Sequence, residues 1–136
     1  MILTGRVIYP GKAQGIALVS HQALSFFGGV DPENGIVLES GHELEGQLIA
    51  NKILVFPSGK GSTVGSYTLY RLKQNGLAPA AILNAECEPI IATGCIISEI
   101  PCIDRIEIAK IPNNAYLFVN GENGVVEIAQ VSPQTS

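Results

Sequence analysis

Hydrophobic and polar positions open the chain in a β rhythm. Ile2-Leu3-Thr4-Gly5-Arg6-Val7-Ile8-Tyr9 is rich in β-branched residues and stops at Pro10-Gly11, a turn dipeptide. This predicts a strand. Gly15 to Ser20 is a second short apolar run. Phe26-Phe27-Gly28-Gly29 leads into Asp31-Pro32-Glu33-Asn34-Gly35, whose residues each favour a turn for a separate backbone reason. Ile36-Val37-Leu38 then predicts a brief strand. Residues 1–50 carry no convincing 3.6-residue period, so this part is predicted to be β-rich.

The middle of the chain changes character. Lys52 to Phe56 is a continuous apolar run ending at Pro57, the pattern of a strand buried on both faces. Ser58-Gly59-Lys60-Gly61-Ser62-Thr63-Val64-Gly65-Ser66 follows as a glycine- and serine-rich loop. Tyr67 to Gly76 predicts a helix: Leu69 and Leu72 share a face, Arg71 and Lys73 sit near its end, and Gly76 stops it. Pro79 to Ala85 predicts a second buried strand. Strand, loop, helix and strand make a βαβ unit, hence a parallel pair. Beyond it, Pro89 can open one helical turn, and Ile100 to Ile103 predicts another strand. Ala115–Val119 and Val125–Ile128 flank Asn120-Gly121-Glu122-Asn123-Gly124 and predict a hairpin.

Composition narrows the class. A length of 136 residues suits one domain, expected over 1–131 with a frayed tail over 132–136. An apolar fraction of 46% excludes intrinsic disorder. Eight basic residues against twelve acidic ones, a net charge of −4, argue against nucleic acid as a partner. No apolar run is long enough to span a membrane, and the N-terminal residues show no secretory h-region. Cys87, Cys95 and Cys102 form no C-x-x-C pair, so a disulfide framework is not expected and a cytoplasmic setting is. Charged residues make up 15%, against a typical ~25%. Such sparse charge suggests an apolar face covered by another molecule.

The loop after the first buried strand is the best candidate for chemistry. It lies at the carboxyl end of a strand, where open α/β sheets build sites. Gly59, Gly61 and Gly65 permit close approach, and the N–H groups at the helix start favour an anion. Ser62, Thr63 and Ser66 supply hydroxyls and Lys60 a cation, a set able to hold a carboxylate or phosphate. A P-loop is excluded: Leu54 and Gly61 stand where G-x-x-x-x-G-K-[ST] needs glycine and Ser or Thr. A G-x-S-x-G elbow is absent as well. The residues leave two readings open: a turn with a capping hydroxyl, or an anion site whose serine donates a hydrogen bond or acts as a base. Elsewhere the signals are weaker. His21 and His42 belong to no ligand-spaced cluster, and His42 is expected in a solvated loop. Glu86 and Glu88 are expected to be solvated rather than ion ligands, and the three cysteines to be small buried hydrophobes. Phe26 and Phe27 fit either a contact patch or a core.

The string from Leu54 to Tyr67 resembles the signature of the small, swivelling-domain subunit of the aconitase X family. The resemblance extends to residues 25–32, Gly46-Gln47, residues 81–84, Ala92-Thr93-Gly94 and Ile100-Pro101, spanning most of residues 5–125. The length matches a stand-alone small subunit. It implies an α/β, β-rich fold: a three-layer β/β/α swivelling domain. It also implies a hydro-lyase that works as a heterodimer with a large catalytic subunit. In the archaeal two-subunit form, (R)-5-phosphomevalonate loses water to give trans-anhydromevalonate 5-phosphate, on a route to isoprenoids. The resemblance places the [4Fe–4S] cluster on the large subunit, with no metal or cofactor on this chain, and the catalytic serine, the proton acceptor, on Ser62. Lys60 and the loop amides are then expected to lower the serine's pKa or steady a small anionic substrate. Two alternatives stand beside it: a cis-3-hydroxy-L-proline dehydratase subunit, and a non-catalytic anion-binding swivelling domain.

Overall fold

A computed structural model describes residues 1–129; the expected tail over 132–136 lies outside the described residues. The strands are β1 (Ile2–Thr4), β2 (Arg6–Tyr9), β3 (Lys12–Val19), β4 (Leu24–Ser25), β5 (Ile53–Phe56), β6 (Gly59–Lys60), β7 (Ala81–Asn84), β8 (Cys102–Asp104), β9 (Tyr116–Asn120) and β10 (Val125–Ile128). The helices are α1 (Gly65–Gln74) and α2 (Pro89–Ser98).

Eight strands form one sheet in the order β1-β10-β9-β3-β5-β7-β8-β2, while β4 and β6 pair separately. The run β3-β5-β7-β8 is parallel. The predicted pair is there, with Ile53 opposite Ala81 and Phe56 opposite Asn84. The predicted hairpin is there too, with Val125 opposite Asn120.

Three layers follow from the alternation along the central strands. Leu54 and Phe56 point to one face, where they meet Leu69 and Leu72 of α1 and Ile91 and Cys95 of α2. Ile53 and Val55 point to the other, where Leu3, Leu117, Val119 and Val126 of the antiparallel strands fold across them. That is the β/β/α arrangement the family resemblance implies. Both faces of β5 and β7 are fully buried, so each large apolar side chain there contributes about 1.5–3 kcal/mol of transfer free energy.

The structure departs from the sequence expectations at several places. The single strand expected over Ile2–Tyr9 is two strands, β1 and β2, which pair with opposite edges of the sheet. Because only Gly5 separates them, the sheet almost closes into a barrel, and the Gly5 N–H donates to Gly124 O at 2.9 Å. Ile36–Leu38 forms no strand; Ile36 and Val37 make only isolated bridges to Leu48 and Val30. The helix expected to begin at Tyr67 begins at Gly65. The single turn expected at Pro89 is a ten-residue helix. Its start is built by the Glu88 carboxylate, which accepts the N–H groups of Ile90 and Ile91 at 2.8 and 2.9 Å, with Pro89 in the first turn. Its buried face is Ile91, Gly94, Cys95 and Ser98, spaced as one side of a helix requires.

Candidate functional site

The buried strand β5 ends at Phe56, before Pro57, and the chain then crosses the carboxyl end of the parallel strands. Residues Gly59 and Lys60 pair, as β6, with Leu24 and Ser25 of β4. The loop is therefore partly a strand before it turns into α1. Gly59 is buried against α2, and a Cβ there would collide with the Glu88 carboxylate. Gly61 has φ +90°, and a Cβ there would meet Ser25 Oγ at 2.5 Å. Positive φ and close approach both call for glycine at this turn.

Ser62 sits just past that turn and is exposed. Its Oγ accepts the Val64 N–H at 3.2 Å, and its carbonyl accepts the Gly65 N–H at 2.9 Å. The hydroxyl thus lies just ahead of the N-terminus of α1, where the N-cap residue, Val64, makes no side-chain cap bond. An N–H aimed at this oxygen and the positive end of the helix both favour negative charge on it. Among the described residues, the N–H groups of Ser62 and Thr63 have no acceptor. Ser66 is buried, and its hydroxyl donates to Thr63 O at 3.0 Å, tightening the turn. Thr63 is exposed, and Gly65 is buried beside Ile90.

Lys60 has a specific partner. Its Nζ lies 2.6 Å from Glu39 Oε2. The same carboxylate accepts the Ser25 N–H at 3.1 Å through Oε1. Burial by itself would raise the Glu39 carboxyl, but the hydrogen bonds from Lys60 and Ser25 outweigh it and hold the group below the usual glutamate range. Glu39 carries no local sequence signal: it lies in an irregular loop far from Lys60 along the chain. Ser25, within the family-like stretch, was visible only as part of that stretch.

Two aromatic neighbours divide. Phe26 is in the core, tilted against Phe56 with ring centroids 6.1 Å apart. Phe27 is exposed, and with Val64 and Tyr67 it makes an apolar rim that runs on to Thr63, the residue after Ser62.

The weaker candidates have other work. His42 is buried rather than solvated: its Nε2 lies 3.0 Å from Ala23 O, and its Nδ1 accepts the Leu44 N–H at 3.0 Å. These bonds use both ring nitrogens to pin a loop. His21 is exposed, with Nδ1 3.3 Å from Glu43. Glu86 and Glu88 point to different tasks: Glu86 approaches Arg6 at 3.6 Å, and Glu88 caps α2 instead of being solvated. Cys95 and Cys102 are buried and Cys87 partly so, all free thiols. A hydrogen bond with the Cys102 thiol, together with burial, pushes the Cys87 thiol far up; at Cys102 the bond with Cys87 works downward, but the Cys95 contact and burial outweigh it and raise the thiol. Among the described residues, no group of three or more His, Cys, Asp or Glu is arranged to hold a metal ion. No helix among them is long and apolar enough to cross a membrane.

A family model described as the aconitase X swivel domain matches residues 2–128. The chain belongs to this family. A relative from Thermococcus kodakarensis, named phosphomevalonate dehydratase small subunit, is 52% identical over 130 residues, 96% of this chain and 98% of its own length. One of the same name from Methanosarcina acetivorans is 51% identical, over 93% of this chain and 90% of its own. A crystal structure of Thermococcus kodakaraensis aconitase X in its holo-form matches with a TM-score of 0.94 at 52% identity, covering 96% of this chain and 99% of that one. A solution structure determined by NMR matches with a TM-score of 0.87 at 44% identity, over 96% of this chain. Within the family fold, the glycine loop, the β4–β6 pair and the start of α1 form one unit at one end of the parallel strands.

Proposed function

We propose that this chain is the small subunit of a hydro-lyase that dehydrates (R)-5-phosphomevalonate to trans-anhydromevalonate 5-phosphate. The observation that carries the reading is near-complete coverage, at 52% identity, of a relative named phosphomevalonate dehydratase small subunit. A "small subunit" needs a large one, and the sparse charge of this chain fits a covered face.

The reaction removes a proton from the carbon beside the carboxylate and hydroxide from the next carbon, leaving a double bond and water. Ser62 takes the proton. Its Oγ is exposed at a turn that glycine alone allows, and the Val64 N–H and the α1 N-terminus steady the alkoxide form. The free N–H groups of Ser62 and Thr63 steady the substrate's negative charge as it builds. A [4Fe–4S] cluster on the large subunit would supply the Lewis acid for the departing hydroxyl. The large subunit closes over the rim of Phe27, Val64 and Tyr67, which excludes water around Ser62.

A substrate panel with the reconstituted two-subunit complex tests the assignment. Turnover of (R)-5-phosphomevalonate and none of cis-3-hydroxy-L-proline is expected. The opposite preference would reassign the substrate, and dehydration by this chain alone would overturn the two-subunit reading.

A further inference from the structure

One half-buried carboxylate ties together the segments on which Ser62 rests. Glu39 is about one fifth exposed at its side chain, and Lys60 about half. The Glu39 carboxylate joins the Ser25 N–H of β4 at 3.1 Å to the Lys60 ammonium of β6 at 2.6 Å. Its own segment is held from behind, because the Leu38 and Glu39 N–H groups both donate to Gly29 O, at 2.7 and 3.2 Å. The pair it braces is minimal: Leu24 opposite Gly59 and Ser25 opposite Lys60, two residues a side. A ladder that short does not hold its own register in water. Ser25 has a second contact with the loop, since its Oγ fills the space beside the Gly61 Cα. Any slip of β6 against β4 therefore moves the turn that presents Ser62.

We propose that Glu39 is a positioning residue for Ser62. It acts through Lys60 and Ser25 by locking the β4–β6 pair, and it touches no substrate. This rests on the proposed role of Ser62. It gives Lys60 a different task from direct anion binding: the ammonium serves as the far end of a clamp. Glu39 stays ionised to well below neutral pH because its two donors outweigh the cost of its burial, so the clamp is closed under ordinary conditions.

Two measurements test this, with Glu39→Gln and Lys60→Met breaking the same contact from opposite sides. The first is steady-state kinetics of the complex reconstituted with the large subunit, on (R)-5-phosphomevalonate. Each variant is expected to lose on the order of 10- to 100-fold in kcat, the scale of a misplaced catalytic group, with KM little changed. The double variant is expected to lose no more than either single one, because both remove one interaction. The second is amide hydrogen exchange in the full chain without its partner. Exchange is expected to rise at residues 60–63 and to stay unchanged in β5 and β7. Wild-type kcat in both variants, or losses that multiply in the double variant, would overturn the clamp. A fall in KM-side affinity with kcat preserved would overturn it too, and would return Lys60 to substrate binding. Ser62→Ala separates this from the functional reading. An active Ser62→Ala beside a loosened loop in Glu39→Gln removes the base and leaves the clamp. An inactive Ser62→Ala beside an unchanged Glu39→Gln removes the clamp and leaves the base.

Discussion

Gly61 shows how the site depends on single backbone positions. Its φ of +90° and the nearby Ser25 Oγ leave no room for a side chain. Gly61→Ala is expected to cost about 1–3 kcal/mol, the usual range for a residue forced into such a conformation. Urea denaturation of the full chain measures it, and turnover of the complex should fall with it because Ser62 is the next residue. The glycines, hydroxyls and Lys60 were all legible as a loop with chemical potential, because they are contiguous. Glu39 was not legible: its contact with Lys60 spans 21 positions and is made only when the fold brings the two loops together. His42 misled for the opposite reason. Flanked by Gly41 and Glu43 it reads as solvated, yet its ring is buried and bonded to main chain on both sides.

Elements with a single dominant pattern are the most legible in the sequence. β5 is a short apolar run bounded by Lys52 and Pro57, and β7 is one that closes on the buried Asn84; burial on both faces is what makes such runs apolar. The length of α2 is hidden in the sequence because Ile90, Ile91, Ile96 and Ile97 are β-branched and apolar on every side, which masks the helical period. The Glu88-Pro89 pair was the available signal: an acceptor before a proline in the first helical turn. Glu88→Ala should remove the acceptor for two N–H groups and cost about 1 kcal/mol. The thermal midpoint of the full chain should fall by about 2–8 °C. An unchanged midpoint would mean the helix is held by packing alone. Ile36–Leu38 failed as a strand because no neighbour presents a continuous edge to it, leaving isolated bridges.

Closure of the sheet is a property of the whole molecule, and no local pattern announces it. β1 and β2 read as one strand because only Gly5 interrupts them; topology then sends them to opposite edges. The β2–β8 edge is secured by Asp104, fully buried, which accepts from Arg6 Nε and Nη2 at 2.9 and 2.7 Å and from the Cys87 N–H at 2.9 Å. Burial alone would raise the Asp104 carboxyl, but the Arg6 and Cys87 bonds prevail and hold it below the usual aspartate range. Its stabilising contribution is therefore complete above the unfolded-state value and is lost as pH falls through the lower folded-state value. Arg6→Gln removes the main opposing partner, so Asp104 should protonate at higher pH and acid unfolding should begin earlier. An acid titration followed by circular dichroism checks this, and an acid limb that does not move would show that the pair plays no part in closure. The same fold carries Ser62 to an exposed end of the parallel strands, where a partner can meet it. The most direct test is turnover of (R)-5-phosphomevalonate by the reconstituted complex carrying Ser62→Ala, with assembly followed by co-elution. Loss of a positioned proton acceptor predicts a fall of about 10²–10⁴-fold in kcat with the subunits still together. Near-normal turnover in that intact complex would rule out Ser62 as the proton acceptor.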